Sequence, residues 1–366
     1  MAGDALPHVL GAALILMLGG CVATLPAPSK LSVAVPCVGE DVCLAAGQRR
    51  LRYYRDTKLG LIRHANGGYR LPSAPAALVY PRRTPYAALL IHGLYDSAYY
   101  MADLGAVLHA RGLNVVTILL PGHGTDPDDL ARVRTEDWRA EVTIGWEMAR
   151  LVGERVIVVG FSLGGALALD LALNGADVHG LMLFAPALDL REIPALELAS
   201  TACLPGFRDM TVDMEIPLNP VKYRHHSGNG ICQLYRLMQD LRERSAQDAS
   251  EGLSATESFQ HLGSRLHVPT FLALSYADSK LSPAPILEMA GAIRAPVTVA
   301  TFGAPDSEET RALEDAVRVI RVATEGVPHA NLVRRTNPYN GQWNPYFDRL
   351  ERIVNDFARE NFAVTR

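Results

Sequence analysis

Neither sign of charge is in surplus in this chain. Its 366 residues carry 35 Lys and Arg against 39 Asp and Glu, a formal net charge of −4, which gives no electrostatic reason to expect a nucleic-acid partner. Cysteine is scarce as well. Of Cys21, Cys37, Cys43, Cys203 and Cys232 none stands in a CxxC spacing, and no histidine cluster accompanies them, which argues against a metal site. The apolar run at the N-terminus, Val9 to Leu18, has about half the length that a membrane-spanning helix needs. What remains, 49% hydrophobic and 20% charged residues, is the composition of a globular chain with ample material for a core. One large α/β domain with an insertion fits it as well as two domains do.

The pattern is densest from Arg155 to Asn174, RVIVVGFSLGGALALDLALN. Val156, Ile157, Val158 and Val159 make a short buried strand, and Gly165 opens an Ala and Leu run that reads as a buried helix. Between them lies Gly160-Phe161-Ser162-Leu163-Gly164. A serine on so sharp a strand-to-helix turn sits in strained backbone, so the residues two places to either side must lack a Cβ, and both do. The turn lifts the Ser162 hydroxyl clear of the sheet. It also aims the Leu163 amide at the same point, near the positive end of the helix, where a developing oxyanion is stabilised.

Ala87 to Ile91 reads as the first strong strand, and it stops at His92-Gly93-Leu94-Tyr95. The loop after such a strand supplies the second oxyanion donor in sites of this kind, for which the Leu94 amide is the candidate. His92 is expected to hold that loop by hydrogen bonding rather than to act as a base. Asn114 to Leu120 is the next strand, ending in Pro121-Gly122-His123-Gly124. His123, Asp126, Asp128 and Asp129 read as a solvated acidic loop, with metal binding as the alternative. Thr135 caps a helix to about Leu151, and Leu181 to Ala185 continues the alternation, which predicts a mostly parallel, doubly wound sheet. Upstream, Gly60 to Arg63 and Ala76 to Tyr80 read as antiparallel edge strands.

From Leu188 to about Leu266 the alternation breaks. A stretch too long for a loop must have structure of its own; it is expected to be a lid with an apolar underside, the alternative being residues that patch the core. Pro269 to Tyr276, Pro296 to Phe302 and Val317 to Ala323 read as further strands, and Phe347, Leu350, Ile353, Val354 and Phe357 mark one stripe of a terminal amphipathic helix. A serine hydroxyl needs a base within hydrogen-bond reach, and the base needs a carboxylate to fix its tautomer. In this class of turn the chain order is Ser, acid, His. His329 is the only histidine after Asp278. Asp278, at the end of a buried strand, is the favoured acid, and Asp306 is the alternative.

Leu18-Gly19-Gly20-Cys21 resembles the lipobox of bacterial lipoproteins, which implies cleavage before a lipidated Cys21. Val22 after it goes, in those proteins, with sorting to the outer membrane, so the expected location is the bacterial cell envelope, on the outer membrane or its periplasmic face. No Lys or Arg precedes the apolar run, and a misassigned start or a buried N-terminal strand is the alternative. Leu25 to Lys30 reads as a tether. Arg49, Arg50, Arg52 and Arg55 form a basic cluster that is a solvated face or, beside a membrane anchor, a contact for anionic lipid. Apart from Cys21, the cysteines could form two bridges in an oxidising compartment, most simply Cys37 with Cys43 and Cys203 with Cys232.

The runs IHGLYDS, LLPGHGTDPDDL, TEDW, VVGFSLGGALAL, NPVKY, ADSKLSP and PHANL, spread from about Tyr86 to Asn361, resemble the α/β-hydrolase superfamily, in particular its bacterial carboxylesterase and monoacylglycerol-lipase-like branch. The resemblance implies an α/β-hydrolase fold with an inserted lid, Ser162 as nucleophile, Asp278 and His329 as its partners, and Leu94 and Leu163 as oxyanion donors. It implies hydrolysis of carboxylic esters of small to medium acyl chains through an acyl-enzyme, on a small ester or lipid substrate, with no cofactor and no metal. Lysophospholipase, aminopeptidase and acyltransferase activities are alternatives on the same fold. A catalytically inactive, lipid-anchored binding protein is the rival from another class. The expected division is a signal segment over residues 1–20, anchor and tether over 21–48, core over 49–187, lid over 188–266 and core again over 267–366. The strand-like segment Pro296 to Phe302 and the N-terminal region depart from the family's pattern.

Overall fold

Consecutive β-branched residues need apolar neighbours on both faces of a sheet. In the computed structural model Val156, Ile157, Val158 and Val159 find them, fully buried, near the centre of an eight-stranded sheet. The structure describes residues 39–65, 75–125, 127–191, 199–213, 225–247, 255–336 and 343–362. The sheet strands are β1 (Ala76–Leu78), β2 (Thr84–Ile91), β3 (Asn114–Thr117), β4 (Gly153–Phe161), β5 (Gly180–Phe184), β8 (Thr270–Ser275), β9 (Val297–Phe302) and β10 (Val319–Ala323). A separate antiparallel hairpin pairs β6 (Thr211–Asp213) with β7 (His225–Ser227). The helices are α1 (Glu40–Ala65), α2 (Ala102–Ala110), α3 (Pro127–Leu130), α4 (Thr135–Val152), α5 (Leu163–Leu173), α6 (Gly228–Gln247), α7 (Ala255–Ser264), α8 (Ala284–Ala292), α9 (Glu308–Asp315) and α10 (Phe347–Phe362).

Strand order is β1-β3-β2-β4-β5-β8-β9-β10. Every pairing is parallel except β1 with β3, so the expected mostly parallel, doubly wound sheet is what forms. From β2 the chain steps to one side to make β3, then crosses to the other side to make β4. The order therefore reverses between β2 and β4, and the loops leaving the carboxyl ends of those strands diverge over a crevice, the place where open α/β sheets bind ligands. The loops after β2 and β4 carry Leu94 and Ser162.

The N-terminal part corrects one expectation. Gly60 to Arg63 is not an edge strand but the end of α1, whereas Ala76 to Leu78 does pair antiparallel with β3. The helix wins because Leu44, Leu51, Tyr54 and Lys58 recur at helical spacing and are buried against α4. At that contact the Tyr54 hydroxyl accepts from the Leu119 N–H at 3.1 Å and donates to Glu141, and Lys58 pairs with Glu141 at 2.9 Å. This helix runs without a break through position 48, where the sequence alone suggests a tether giving way to the core.

The stretch expected to be a lid is of two kinds. In α6 and α7, Leu237, Leu241, Phe259 and Leu262 join the main core. A single carboxylate reinforces that junction: Asp170 of α5 receives Arg139 of α4 at 2.9 and 3.1 Å and Arg244 of α6 at 2.9 Å. The outer segment differs, with Leu204, Phe207 and Met210 exposed by 51, 53 and 52%. A disulfide from Cys203 to Cys232 ties that segment to α6. Ile193, Leu196, Leu198, Met214, Ile216 and the NPVKY run lie outside the described residues, as do Cys21 and Cys37. Cys43 is disulfide-bonded, and its partner is outside them too. No helix among the described residues is long and apolar enough to cross a membrane.

Candidate active site

The turn between β4 and α5 places Ser162 at φ 54° and ψ −116°, a conformation that a residue with a Cβ adopts only when its surroundings enforce it. Its neighbours do so. The Ser162 N–H donates to the Phe184 carbonyl at 3.0 Å, and the Ser162 carbonyl accepts from Gly165, Ala166 and Ala187. A Cβ on Gly160 would come within 2.2 Å of the Gly164 carbonyl oxygen, and one on Gly164 within 2.1 Å of that of Ile91. Glycine at both positions is what lets strand, turn and helix stack so closely.

Two backbone amides near the ends of β4 and β2 are without a hydrogen-bond acceptor among the described residues. Leu163 is the first residue of α5, so its N–H has no intrahelical acceptor. Leu94 follows the β2 end, and among the described residues neither amide donates a hydrogen bond. His92 shapes the Leu94 loop from beneath. Its Nε2 accepts from the Leu120 N–H at 3.1 Å, so Nδ1 carries the proton and donates to the Gly93 carbonyl at 2.8 Å. That is the holding role expected for His92. Tyr95, at φ 62°, donates its hydroxyl to the Ser227 carbonyl at 2.8 Å and stacks on His226 at a centroid distance of 3.8 Å. The loop is thereby joined to the β6–β7 hairpin.

His92 and His123 are both fully buried, their rings edge to face at 5.0 Å. Burial, with repulsion from His123, holds His92 well below the ordinary imidazole range, and burial brings His123 down to about 4. Both are therefore neutral in the folded state at pH values where the unfolded chain takes up a proton. Because the folded values are depressed, stability is complete above about pH 6.5 and is lost as the pH falls from there towards the folded values. For His123 the expected loss between about pH 7.5 and about pH 5 is roughly 2 kcal/mol, read as a fall in the urea midpoint, and His92 acts in the same direction. Equal midpoints at the two pH values would show that the rings titrate normally. His123 also donates from Nδ1 to the Pro121 carbonyl, which the Trp138 indole shares at 3.1 Å. Among the described residues no group of three or more His, Cys, Asp or Glu is placed to hold a metal; Asp126 lies outside them.

Asp278 and His329 are joined: Asp278 Oδ2 accepts from His329 Nδ1 at 2.5 Å. The second carboxylate oxygen accepts from the Lys280 and Leu281 amides at 2.7 and 3.1 Å, so one oxygen fixes the turn while the other fixes the imidazole. The His329 ring stacks on Phe161, centroids 4.9 Å apart, and the same Phe161 ring lies where a Cβ on Gly93 would meet it at 3.2 Å. The loop after β2 and the histidine thus meet on the side chain that precedes the strained serine. Among the described residues no hydrogen bond links His329 Nε2 to Ser162 Oγ, a bond that tightens in many hydrolytic sites only when substrate arrives.

A family model described as the alpha/beta hydrolase family matches residues 88–338. The chain belongs to the alpha/beta hydrolase family. Over 169 residues this hydrolase is 30% identical to a thermostable monoacylglycerol lipase of Bacillus sp. (strain H-257), a stretch covering 45% of the chain and 66% of that protein. Over 86 residues it is 35% identical to a carboxylesterase of Bacillus subtilis (strain 168), covering 23% of the chain and 35% of the relative. Both stretches fall short of two thirds of the relative's length. A solved structure from work on LipS and LipT, two metagenome-derived lipolytic enzymes, superposes with a TM-score of 0.56 at 18% identity, covering 80% of this chain and 99% of that one. The likeness there is of fold.

In this hydrolase the two acids read from the sequence have separate places. Asp306 does not approach His329; it is ion-paired with Arg191. The extra strand also has a definite location, since β9 stands between β8, which leads to Asp278, and β10, which leads to His329. The loop after β10 must therefore cross the end of β9 to reach the acid. Ser275 pins that crossing: its hydroxyl donates to the Val327 carbonyl at 2.6 Å and accepts from the Val327 N–H at 2.9 Å. Gly326 makes it possible, because a Cβ there would lie 2.8 Å from the Ala277 nitrogen. Ser275, Tyr95 and Arg191 are residues that sequence reasoning passed over. Only Ser275 left a local sign, as a polar residue closing the otherwise apolar end of the strand TFLALS.

Proposed function

We propose that this alpha/beta hydrolase is a serine carboxylic-ester hydrolase acting on small to medium acyl chains, with Ser162 as nucleophile, His329 as base and Asp278 as its orienting acid. The observation that carries this reading is the Asp278–His329 hydrogen bond packed over Phe161, the residue that precedes the strained Ser162. With Nδ1 committed to the carboxylate, His329 offers Nε2 to the serine proton. Ser162 Oγ attacks the ester carbonyl while Nε2 takes the proton, and the carbonyl oxygen gains negative charge facing the Leu94 and Leu163 amides. As the carbon–oxygen bond to the alcohol breaks, Nε2 returns the proton to the departing alkoxide, leaving Ser162 acylated. Water then adds to the acyl carbon, giving its proton to Nε2. Collapse expels Ser162 Oγ, which recovers that proton, and the free acid leaves.

The relatives' names, a monoacylglycerol lipase and a carboxylesterase, support an apolar acyl ester as substrate, and so do the exposed Leu204, Phe207 and Met210 of the outer segment. Anchoring at the bacterial envelope through a lipidated Cys21 belongs to the same proposal. The Cys203–Cys232 bridge, which suits an oxidising compartment, supports it. The direct test is an alkyl fluorophosphonate, which phosphonylates only an activated serine. One adduct per chain is expected, on the peptide that contains Ser162, with hydrolysis of p-nitrophenyl butyrate lost in proportion. Folded protein that neither turns over this ester nor takes the label at Ser162 overturns the reading.

A further inference from the structure

We propose that Asp306 is a positioning residue: acting through Arg191, it holds the turn that presents Asp278 to His329. The proposal rests on the reading of Asp278 as the orienting acid. Residues 189–191 run alongside 280–282 as a short antiparallel ladder, with a bridge between Leu190 and Leu281, the Arg191 N–H on the Lys280 carbonyl at 3.2 Å and the Ser282 N–H on the Asp189 carbonyl at 3.1 Å. From there the Arg191 guanidinium reaches across the acid turn. Its Nη1 donates to the Tyr276 and Asp278 carbonyls, both at 2.8 Å, while Nη2 is held by the Asp306 carboxylate. One planar fork therefore grips the turn both before and at Asp278.

Asp306 lies between β9 and α9, in the unit inserted between the acid strand and the histidine strand. The insertion that pushes those strands apart thus supplies the carboxylate that steadies the acid from its outer side. Magnitudes separate this from an ordinary surface ion pair. The Arg191 and Asp306 side chains are 25 and 52% exposed, and a pair so placed adds little to stability. Turnover is far more sensitive, because a displacement of about 1 Å in a catalytic constellation can cost about a hundredfold. Without Asp306 the fork is free to rotate about its stem, and the two carbonyls lose a fixed partner.

The test measures kcat, KM and melting temperature for Asp306→Asn, Asp306→Glu and Arg191→Met, each also combined with Asp278→Asn, on p-nitrophenyl butyrate. In the natural background Asp306→Asn is expected to lower kcat about tenfold with KM nearly unchanged, while the melting temperature moves by less than about 3 °C. Asp306→Glu should restore most of the loss, and Arg191→Met should cost at least as much as Asp306→Asn. In the Asp278→Asn background neither variant should lower kcat further, since the group they position is gone. Unchanged kcat in folded Asp306→Asn, or an equal fold-loss in both backgrounds, overturns the proposal while leaving the triad intact. If Asp278→Asn alone keeps natural turnover, the acid assignment itself fails and the positioning role falls with it.

Discussion

Replacing Ser162 with alanine is expected to lower turnover of p-nitrophenyl butyrate by about five to six powers of ten, leaving a folded protein. The size follows from the division of labour in a serine hydrolase. Without the hydroxyl no acyl-enzyme forms, and what survives is the part contributed by the oxyanion donors and by binding. The fold should hardly notice. Every bond that shapes the turn runs through the Ser162 backbone, to Phe184, Gly165, Ala166 and Ala187, and alanine carries the same Cβ into the same φ of 54°. Steady-state rates, with circular dichroism to verify folding, decide the matter. Residual activity within about tenfold of the natural protein would mean that the nucleophile lies elsewhere.

The second large effect is expected at Asp278. Asp278→Asn should reduce kcat about ten-thousandfold with KM changed only a few-fold. The argument turns on which atom faces which partner. The Lys280 and Leu281 amides demand an acceptor at Oδ1, and the asparagine carbonyl meets that demand. Its NH2 group is then directed at His329 Nδ1, where the carboxylate oxygen now sits at 2.5 Å. A donor there forces Nδ1 to accept, which moves the imidazole proton to Nε2 and removes the lone pair that should receive the serine proton. The geometry survives and the tautomer is wrong. A kcat within tenfold of natural, measured on protein with the natural melting temperature, would remove Asp278 from the mechanism.

How much of this was legible in the sequence depends on how local each signal is. The serine turn is written within ten residues, as a β-branched run, two glycines at fixed offsets and an apolar helix, and each part has a steric reason visible in the structure. His329 needed only chain order. Helix α1 was missed although Leu44, Leu51, Tyr54 and Lys58 keep helical spacing, because arginines and the glycines at Gly47 and Gly60 interrupt the stripe. Its polar anchor, Glu141, lies more than eighty residues away in sequence. Between Asp278 and Asp306 the sequence favours Asp278, although both follow strands. In the structure His329 bonds to Asp278 and Arg191 pairs with Asp306, contacts that no local pattern announces. Contacts such as Tyr95 with His226, or Ser275 with Val327, join positions that no periodicity relates.

The stacking of Tyr95 on His226 has a mechanical consequence. Tyr95 adjoins Leu94, and its ring and hydroxyl are both spent on the small β6–β7 hairpin. The hairpin cannot swing outward without either shearing that stack or dragging the neighbouring amide along. Hairpin and Leu94 loop are therefore one moving part, and exchanging the hairpin for one from another enzyme would also mean finding a new partner for Tyr95.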